Sequence, residues 1–581
     1  MINKKTYLYW AWIFILLSAL IFFVRILNLW VFSDDIVAIL HSFDSIEDTL
    51  FKNPYSNVYY TPLAVLSFKP DLWLFGLSPL LFHVHNFVLL LLISLFIFLI
   101  LKEELDDNCA LFGAVLTLFS TPSLVMVSCV VLRQYLYPSL FSLISVYLFL
   151  KYRPTLKNKP YLVILIVLLC ELSFIGKEQF MTLPFLLFVI SEGDLKKRIF
   201  INLPYFLTLL VHFMFRAYVL KGLGGYPAMS FSLDTYLITL IKSYLMVSKI
   251  MFGNEAVIIF VVFLLLLSSY RKIILLFSVW ICALSIQFLT MYNYPDITAL
   301  RYWFVAVVVV SVTASYGLSS MKNNTQKWIY ASVILSLFML NSLSYKPGVE
   351  AYFIKKSVLY GQASSFMLDK RHDNSTVLIF DDYINSESLY FKCIDAIYSE
   401  KLGIKTYSAF MPADFLIFYP ELMSHDGVFY EMTKSGISDI TTSVKDRLKE
   451  YKKKFYDDSP PATLIKDSEG DNAISVSCCG NAKGIIMYVV TVRRDKFKRE
   501  RAFYDKIGSP YYKEEGMKLR TLTKLKKAEF MLKNKISNTG SVLRIGNRRL
   551  KAFPEEALVM FSCIYEDGRS LHPSSLVLLK N

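Results

Sequence analysis

Eleven apolar runs constrain this chain more than any other feature of its sequence. They fall at 7–30, 79–101, 109–131, 135–150, 160–175, 179–191, 199–217, 256–270, 273–291, 301–319 and 327–344. A run of roughly 17–25 apolar residues crosses a bilayer as a helix, because a helix satisfies its own backbone where no water is present. The shorter runs need tilt or local thinning. With 55% of its 581 residues hydrophobic, the chain does not have the composition of an ordinary soluble protein. The first run outlasts a signal peptide's apolar core and has no small-residue cleavage site, so it reads as a retained span. The net charge of +15 reflects cytoplasmic loops and anionic headgroups in such a protein. A nucleic-acid partner is not expected.

Orientation follows from short cationic loops. Lys4 and Lys5, "KYRPTLKNK" (151–159), "EGDLKKR" (192–198), "YRK" (270–272) and "MKNNTQK" (321–327) alternate onto one side, read as cytoplasmic. The loops holding Asp34, Arg133, Lys177, Gly224 and Arg301 then share the outer face. The segment 236–252 is apolar but interrupted by Lys242 and Lys249, so it reads as an interfacial or re-entrant helix. The odd span count leaves the C-terminus outside.

Near residue 350 the composition becomes charged and mixed. "STVLIFDDYI" (375–384) predicts a buried strand, "SESLYFKCIDAIYSEKLG" a helix stopped by Gly403, and "NAISVSCCGNAKGIIMYVVTVRR" two strands around a turn. A Lys-rich helix is expected near 516–535. The fold class is therefore a polytopic α-helical membrane protein of about eleven spans (1–347) with a C-terminal soluble α+β domain outside the membrane (348–581). "DDY" (381–383) in that domain suits a helix cap better than a site. Of eight cysteines, Cys109, Cys129, Cys170 and Cys282 lie in apolar runs as small hydrophobes, and no metal-ligand spacing is present.

The outer loops collect a particular set of groups. The loop 31–78 carries the adjacent carboxylates Asp34 and Asp35, then aromatic and proline-rich segments suited to surface helices. Arg133, the pair Lys177–Glu178, Arg216 and Arg301 reach the same face. Carboxylates beside cations at a membrane surface are what a reaction needs if it takes a proton from a hydroxyl next to a lipid-linked phosphate. Two adjacent carboxylates near lipid push one apparent pKa upward. A base that accepts the acceptor's proton accelerates attack by about 10²–10⁴-fold, and a departing phosphate gathers charge that Arg or Lys can hold. The bland readings are that the Asp pair caps the helix begun by "IVAIL", that His83 and His85 are interfacial anchors, and that Lys177–Glu178 is a local charge pair.

At these positions the sequence resembles the C-fold glycosyltransferases. "FSDDIVAI", "YYTPL" with "FGLSPLLFHVHN", "GKEQFMTLP", Arg216 followed by "GLGGY", and "RYW" occur in that order. The branch most similar is that of the membrane O-mannosyltransferases, which in animals carry tetratricopeptide tails and have tail-less bacterial relatives. The resemblance covers about residues 7–345. Thr61 stands where the family usually has Arg, Leu91 where a histidine is common, and "LRQY" (132–135) where a "GRAD"-like sequence is usual.

The resemblance implies transfer of a single sugar from a polyprenyl-phosphate carrier to a hydroxyl of a protein, glycan or lipid, with inversion, in a bacterial inner membrane. It implies Asp34 and Asp35 as catalytic residues, and Lys177, Arg301, Arg216 and Arg133 as holders of the donor phosphate. Glu178, His83, Tyr60 and Tyr302 stand in the same motifs as candidates for acceptor contact. No cofactor is required by the sequence; a divalent cation, were one used, would sit on Asp34 and Asp35. A polysaccharide polymerase or ligase would rest on loop arginines without the Asp pair. A transporter or flippase would show internal repeats and mid-membrane charges, which this chain does not.

Overall fold

The computed structural model describes residues 4–52, 60–222, 245–254 except 247, 256–257, 297–321 and 323–369. Beyond these it describes 376–380, 388–404, 409–412, 428–433, 436–443, 446 and the backbone of strands up to 579. The chain divides into two compact units, Met1–Gly361 and Gln362–Asn581.

Every apolar run that falls on described residues is helical. The first unit contains α1 (Lys4–Leu27), α2 (Asp34–His41), α3 (Pro62–Leu66), α4 (Phe68–Phe75), α5 (Pro79–Lys102), α6 (Asp107–Leu118) and α7 (Thr121–Ser128). It continues with α8 (Arg133–Tyr152), α9 (Pro160–Phe174), α10 (Leu183–Ile190), α11 (Leu195–Leu220), α12 (Phe304–Ser319) and α13 (Asn324–Leu368). Among the described residues five helices are long and apolar enough to cross a membrane, six if the bent pair α6–α7 counts as one span. This is an integral membrane protein. The runs at 256–270 and 273–291, most of 236–252, and "GLGGY" apart from Gly222 lie outside the described residues.

Local chemistry sets the helix ends. Asp106 caps α6 by accepting from Asn108 N and Cys109 N, and Asp194 caps α11 by accepting from Lys197 N. Pro79 opens α5, where its missing N–H costs nothing. The run 109–131 is not one straight span: it bends by 53° between α6 and α7. Ser120 caps α7, and the Ser123 hydroxyl donates to Thr117 O at 2.6 Å, satisfying a carbonyl freed by the break. At Gly113 a Cβ would meet Ser315 Oγ at 2.5 Å and Leu101 Cδ1 at 2.7 Å, so only glycine allows α12 to pass this close to α6. Gly176 likewise leaves room for Pro138 inside α8.

The helix ends sort into two groups. At one end the α5–α6 turn meets the α12–α13 turn, with Tyr316 donating to Glu104 at 2.8 Å and Lys327 3.8 Å from Asp106. Arg153 pairs there with Glu192 at 2.7 Å. The other end holds the loop 31–78 and the starts of α5, α8 and α12. Helix α13, 45 residues long, measures about 67 Å at 1.5 Å per residue, more than twice a bilayer's hydrocarbon thickness. It therefore continues well past residue 347, where the change of composition had suggested a domain boundary, and the two compact units divide within it.

The second unit has helix α14 (Ser388–Ala396), which runs into a wider turn through Lys401 and ends near Gly403 with φ 66°. Strand β1 (Thr376–Phe380) pairs in parallel with β2 (Ala409–Pro412) and β3 (Val428–Thr433); β4 (Gly436–Asp439) completes the order β2-β1-β3-β4. Leu378 is buried, as expected of the strand read at 375–384. Strands β5 (Phe455–Tyr456) and β6 (Ala462–Lys466) precede β7 (Asn472–Cys478) and β8 (Ala482–Arg493), the two read around a turn. They are not a hairpin: β7 pairs with β6 and with β10 (Ser541–Ile545), whereas β8 pairs with β9 (Thr521–Met531) and β11 (Ala557–Tyr565). Strands β12 (Ser570–Leu571) and β13 (Val577–Leu579) also pair with β11. The Lys-rich helix expected near 516–535 is corrected here, because β9 occupies its centre. A long ladder along β8 outweighs the helix propensity of lysine. "DDY" lies outside the described residues.

Candidate active site

Asp34 and Asp35 begin α2, the first surface helix after α1. The turn that presents them is strained: Ser33 has φ 52°, a left-handed conformation that non-glycine residues seldom adopt. The two carboxylates then separate in role. Asp34 is half-exposed, whereas Asp35 is 1% exposed. Asp35 Oδ1 accepts from Val131 N at 2.8 Å and Oδ2 from Phe32 N at 3.4 Å. Val131 is the second residue of the helical turn Val130–Leu132, and the first N–H groups of such a turn lack partners within it. Asp35 therefore supplies a cap to a turn 96 residues further along the chain, while the N-cap of its own helix, Ser33, makes no capping bond. Burial pushes the Asp35 carboxyl up to about 7, against the pull of these N–H donors, with the charge of Asp34 adding to the rise.

The cations form a second group around aromatic rings. Lys177 Nζ lies 3.6 Å from Glu178 Oε1 and 5.4 Å from the centroid of the Tyr135 ring. Tyr135 meets Tyr302 edge to face at 6.3 Å. Arg301 donates to the Tyr302 hydroxyl at 3.0 Å and lies 4.9 Å from the ring centroid. Lys177, Glu178, Arg301 and Tyr302, from two distant stretches of sequence, thus assemble on Tyr135. The buried Cys129 thiol lies within electrostatic reach of Asp35, Arg301, Asp34 and Lys356.

Lys356 and Tyr135 escaped the sequence reading. Tyr135 looked like one more aromatic residue in a span. Lys356 lay beyond residue 347, yet its stretch of α13 packs on the chain just before Asp34. Ser357 Oγ accepts from Trp30 N at 2.7 Å, and Phe353 and Tyr360 lie 5.6 and 6.5 Å from Phe32. The 353/356/360 spacing on a helix would have been the signal.

Arg133 sits elsewhere, fully buried. It pairs with Asp71 Oδ2 at 2.6 Å and donates to Asn86 Oδ1, Ser67 O and Phe82 O at 2.9, 3.2 and 3.1 Å. Its guanidinium covers the Phe68 ring at 4.4 Å. His85 Nδ1 donates to Asp71 at 2.8 Å, and Tyr137 O–H donates to His85 Nε2 at 2.7 Å. Burial would raise the Asp71 carboxyl, but His85 and Arg133 outweigh it and hold it below the usual carboxylate range. The guanidinium's donors are thus answered within the fold. His83 is also buried, donating from Nδ1 to Val127 O at 2.7 Å.

Tyr60 and Arg216 belong to a third group. The Tyr60 hydroxyl donates to Leu50 O at 3.0 Å, and its ring lies 6.3 Å from His212, which pairs with Glu171 at 2.8 Å. Arg216 is buried one helical turn beyond His212 on α11. No group of three His, Cys, Asp or Glu side chains among the described residues could hold a metal ion. The N–H donors around Asp35 disfavour a cation as well. The residues present do not fit a divalent ion on the Asp pair.

No protein-family model and no curated protein matches the chain. Among solved structures the chain is similar to one titled "Crystal Structure of ArnT from Cupriavidus metallidurans in the apo state". The identity is 10% and the TM-score 0.40, over 73% of this chain and 93% of that one.

Proposed function

We propose that this protein is a membrane glycosyltransferase that moves one sugar from a polyprenyl-phosphate carrier to a hydroxyl acceptor at the outer face of the membrane. The observation that carries this reading is the assembly of Lys177, Arg301 and Lys356 with the pair Asp34–Asp35 at one end of the bundle. The ordered motifs shared with the O-mannosyltransferase branch, and the cationic loops at the opposite end, support it.

Asp34 is the general base, because it is the half-exposed carboxylate, while Asp35 is enclosed and orients the turn. Asp34 takes the proton from the acceptor hydroxyl as its oxygen bonds to the anomeric carbon. The bond from that carbon to the carrier phosphate breaks on the opposite face, which inverts the centre. The phosphate leaves as a dianion, held by Lys177 and Arg301, and Lys356 adds positive potential. Arg133 takes no part in holding it. The C-terminal unit positions the acceptor and carries no reacting group, with the N-terminus cytoplasmic and that unit outside.

The test is transfer by the purified full-length protein in nanodiscs, given a panel of polyprenyl-phosphate sugars and, separately, nucleotide sugars. We expect activity with a lipid-linked donor alone. Asp34→Asn keeps shape while removing the base, and should cut turnover by about 10²-fold or more with unchanged thermal stability. Near wild-type transfer by this variant, or transfer from nucleotide sugars alone, would sink the reading.

A further inference from the structure

Asn86 lies inside α5, far in sequence from the Asp pair, and is fully buried. Its Nδ2 group donates to Met126 O, Cys129 O and Val130 O at 3.1, 3.1 and 3.4 Å. These carbonyls belong to the break between α7 and α8; Cys129 O also accepts from Leu132 N and Val130 O from Arg133 N, so the amide joins the backbone bonds of the turn. The amide cannot flip, because its Oδ1 accepts from Arg133 Nε at 2.9 Å. Arg133 is fixed in turn by Asp71, Ser67 O and Phe82 O. The same break sends Val131 N–H to Asp35. One buried amide therefore sets the backbone that holds the active-site carboxylate.

We propose that Asn86, locked by Arg133, is a positioning residue: it holds the segment Met126–Val131 so that Val131 N–H reaches Asp35, and through Asp35 it fixes Asp34. The proposal rests on the reading of Asp34 as base, but its geometry does not. The charged and titratable groups around Asp35 are Asp34 on α2, Cys129 and Arg133 on the segment at the break, and Arg301 and Lys356 through Cys129. None of these changes in Asn86→Leu, in Val131→Pro or in their double variant.

The test uses the full chain in nanodiscs. Asn86→Leu keeps the volume and removes the hydrogen bonds. Val131→Pro deletes the N–H itself within the first turn of a helical segment, where no bond of that turn uses it. Two quantities are read: turnover against donor KM, and the titration midpoint of the infrared carboxyl band that Asp35→Asn abolishes. Loss of one hydrogen bond to the carboxylate should raise that midpoint by about one pH unit, a tenfold change in proton affinity. We expect both variants to raise it, turnover to fall about tenfold with donor KM within about twofold, and the double variant to add nothing.

If Val131→Pro raises the midpoint and Asn86→Leu does not, Asn86 is a packing residue and the proposal fails. Additive shifts in the double variant overturn it too. Should Asn86→Leu not fold, a Val131→Pro midpoint equal to wild type would overturn it alone. A shifted midpoint beside full turnover by Asp34→Asn would leave the clamp standing and remove the transferase reading.

Discussion

Two clusters at the same end of the bundle pair carboxylates with cations, and they are built in opposite ways. In the Asp71–Arg133 cluster, both members of the ion pair are enclosed and answered by protein atoms. Arg133 has a carboxylate, an amide oxygen and two backbone carbonyls, and Asp71 has Arg133 and His85. In the Asp34–Tyr135 cluster, Asp34 and Arg301 are half-exposed and the cations lie against aromatic rings. The first is a way to secure a fold where water is scarce, since a buried charge costs several kcal/mol unless paired. The second keeps charge near a surface that a substrate can reach. On the proposed function, the difference is that between scaffold and site, although each supplies a span-end cation of the same kind in the sequence.

The comparison breaks most sharply at Arg133. Arg133→Met leaves Asp71 buried with only His85, and breaking a buried pair this way costs about 3–5 kcal/mol. We expect a large fall in thermal stability and little folded protein. A stable Arg133→Met protein whose only defect is weak donor binding would move Arg133 from scaffold to site.

Arg301 and Lys177 should behave in the reverse manner. A hydrogen bond to a charged group is worth about 1.5–3 kcal/mol, so Arg301→Gln or Lys177→Gln should weaken lipid-donor affinity by about ten- to a hundredfold. Unfolding temperature should hardly move for Arg301→Gln, at a half-buried position, and should fall modestly for Lys177→Gln, because Lys177 is buried beside Glu178. Lys356→Gln should act in the same direction with a smaller loss, because it works at longer range. Binding of a labelled polyprenyl-phosphate sugar to each variant in nanodiscs reads this out; unchanged affinity in both Arg301→Gln and Lys177→Gln would empty the proposed phosphate site.

How much of this was legible in sequence depends on range. Runs of apolar residues fixed the helices on described residues, because one helix in lipid satisfies itself. The surface helices of the loop 31–78 could be read for the same local reason. What could not be read was pairing. Nothing in "LRQY" says that Arg133 meets a carboxylate 62 residues earlier, so it stood among the candidate phosphate holders. The break in the run 109–131 carried its own sign in "STPS", where a capping serine precedes proline. The strand at 521–531 was misread because its partner β8 lies in another stretch of chain, and its run of lysines favours a helix when read locally. Lys356 was lost to a composition boundary that the helix itself ignores.

The finest contrast is within the Asp pair, and pH exposes it. An ordinary aspartate in the unfolded chain titrates near 3.9, whereas burial lifts the folded Asp35 to about 7. Between those two values the folded state holds a proton that the unfolded state has lost. Stability from this group is thus greatest below about pH 4, falls as pH rises toward 7, and is level above. Asp35→Asn carries no charge and keeps an oxygen for Val131 N–H, so it escapes that loss. We expect Asp35→Asn to match wild type at acid pH and to exceed it in unfolding temperature at pH 8, with the gap opening between about pH 4 and 7. Thermal unfolding of wild type and Asp35→Asn across pH 4–9 measures it. A difference that stays constant from pH 4 to 9 would mean that burial does not lift the Asp35 carboxyl, and its part as the enclosed, orienting member of the pair would be lost.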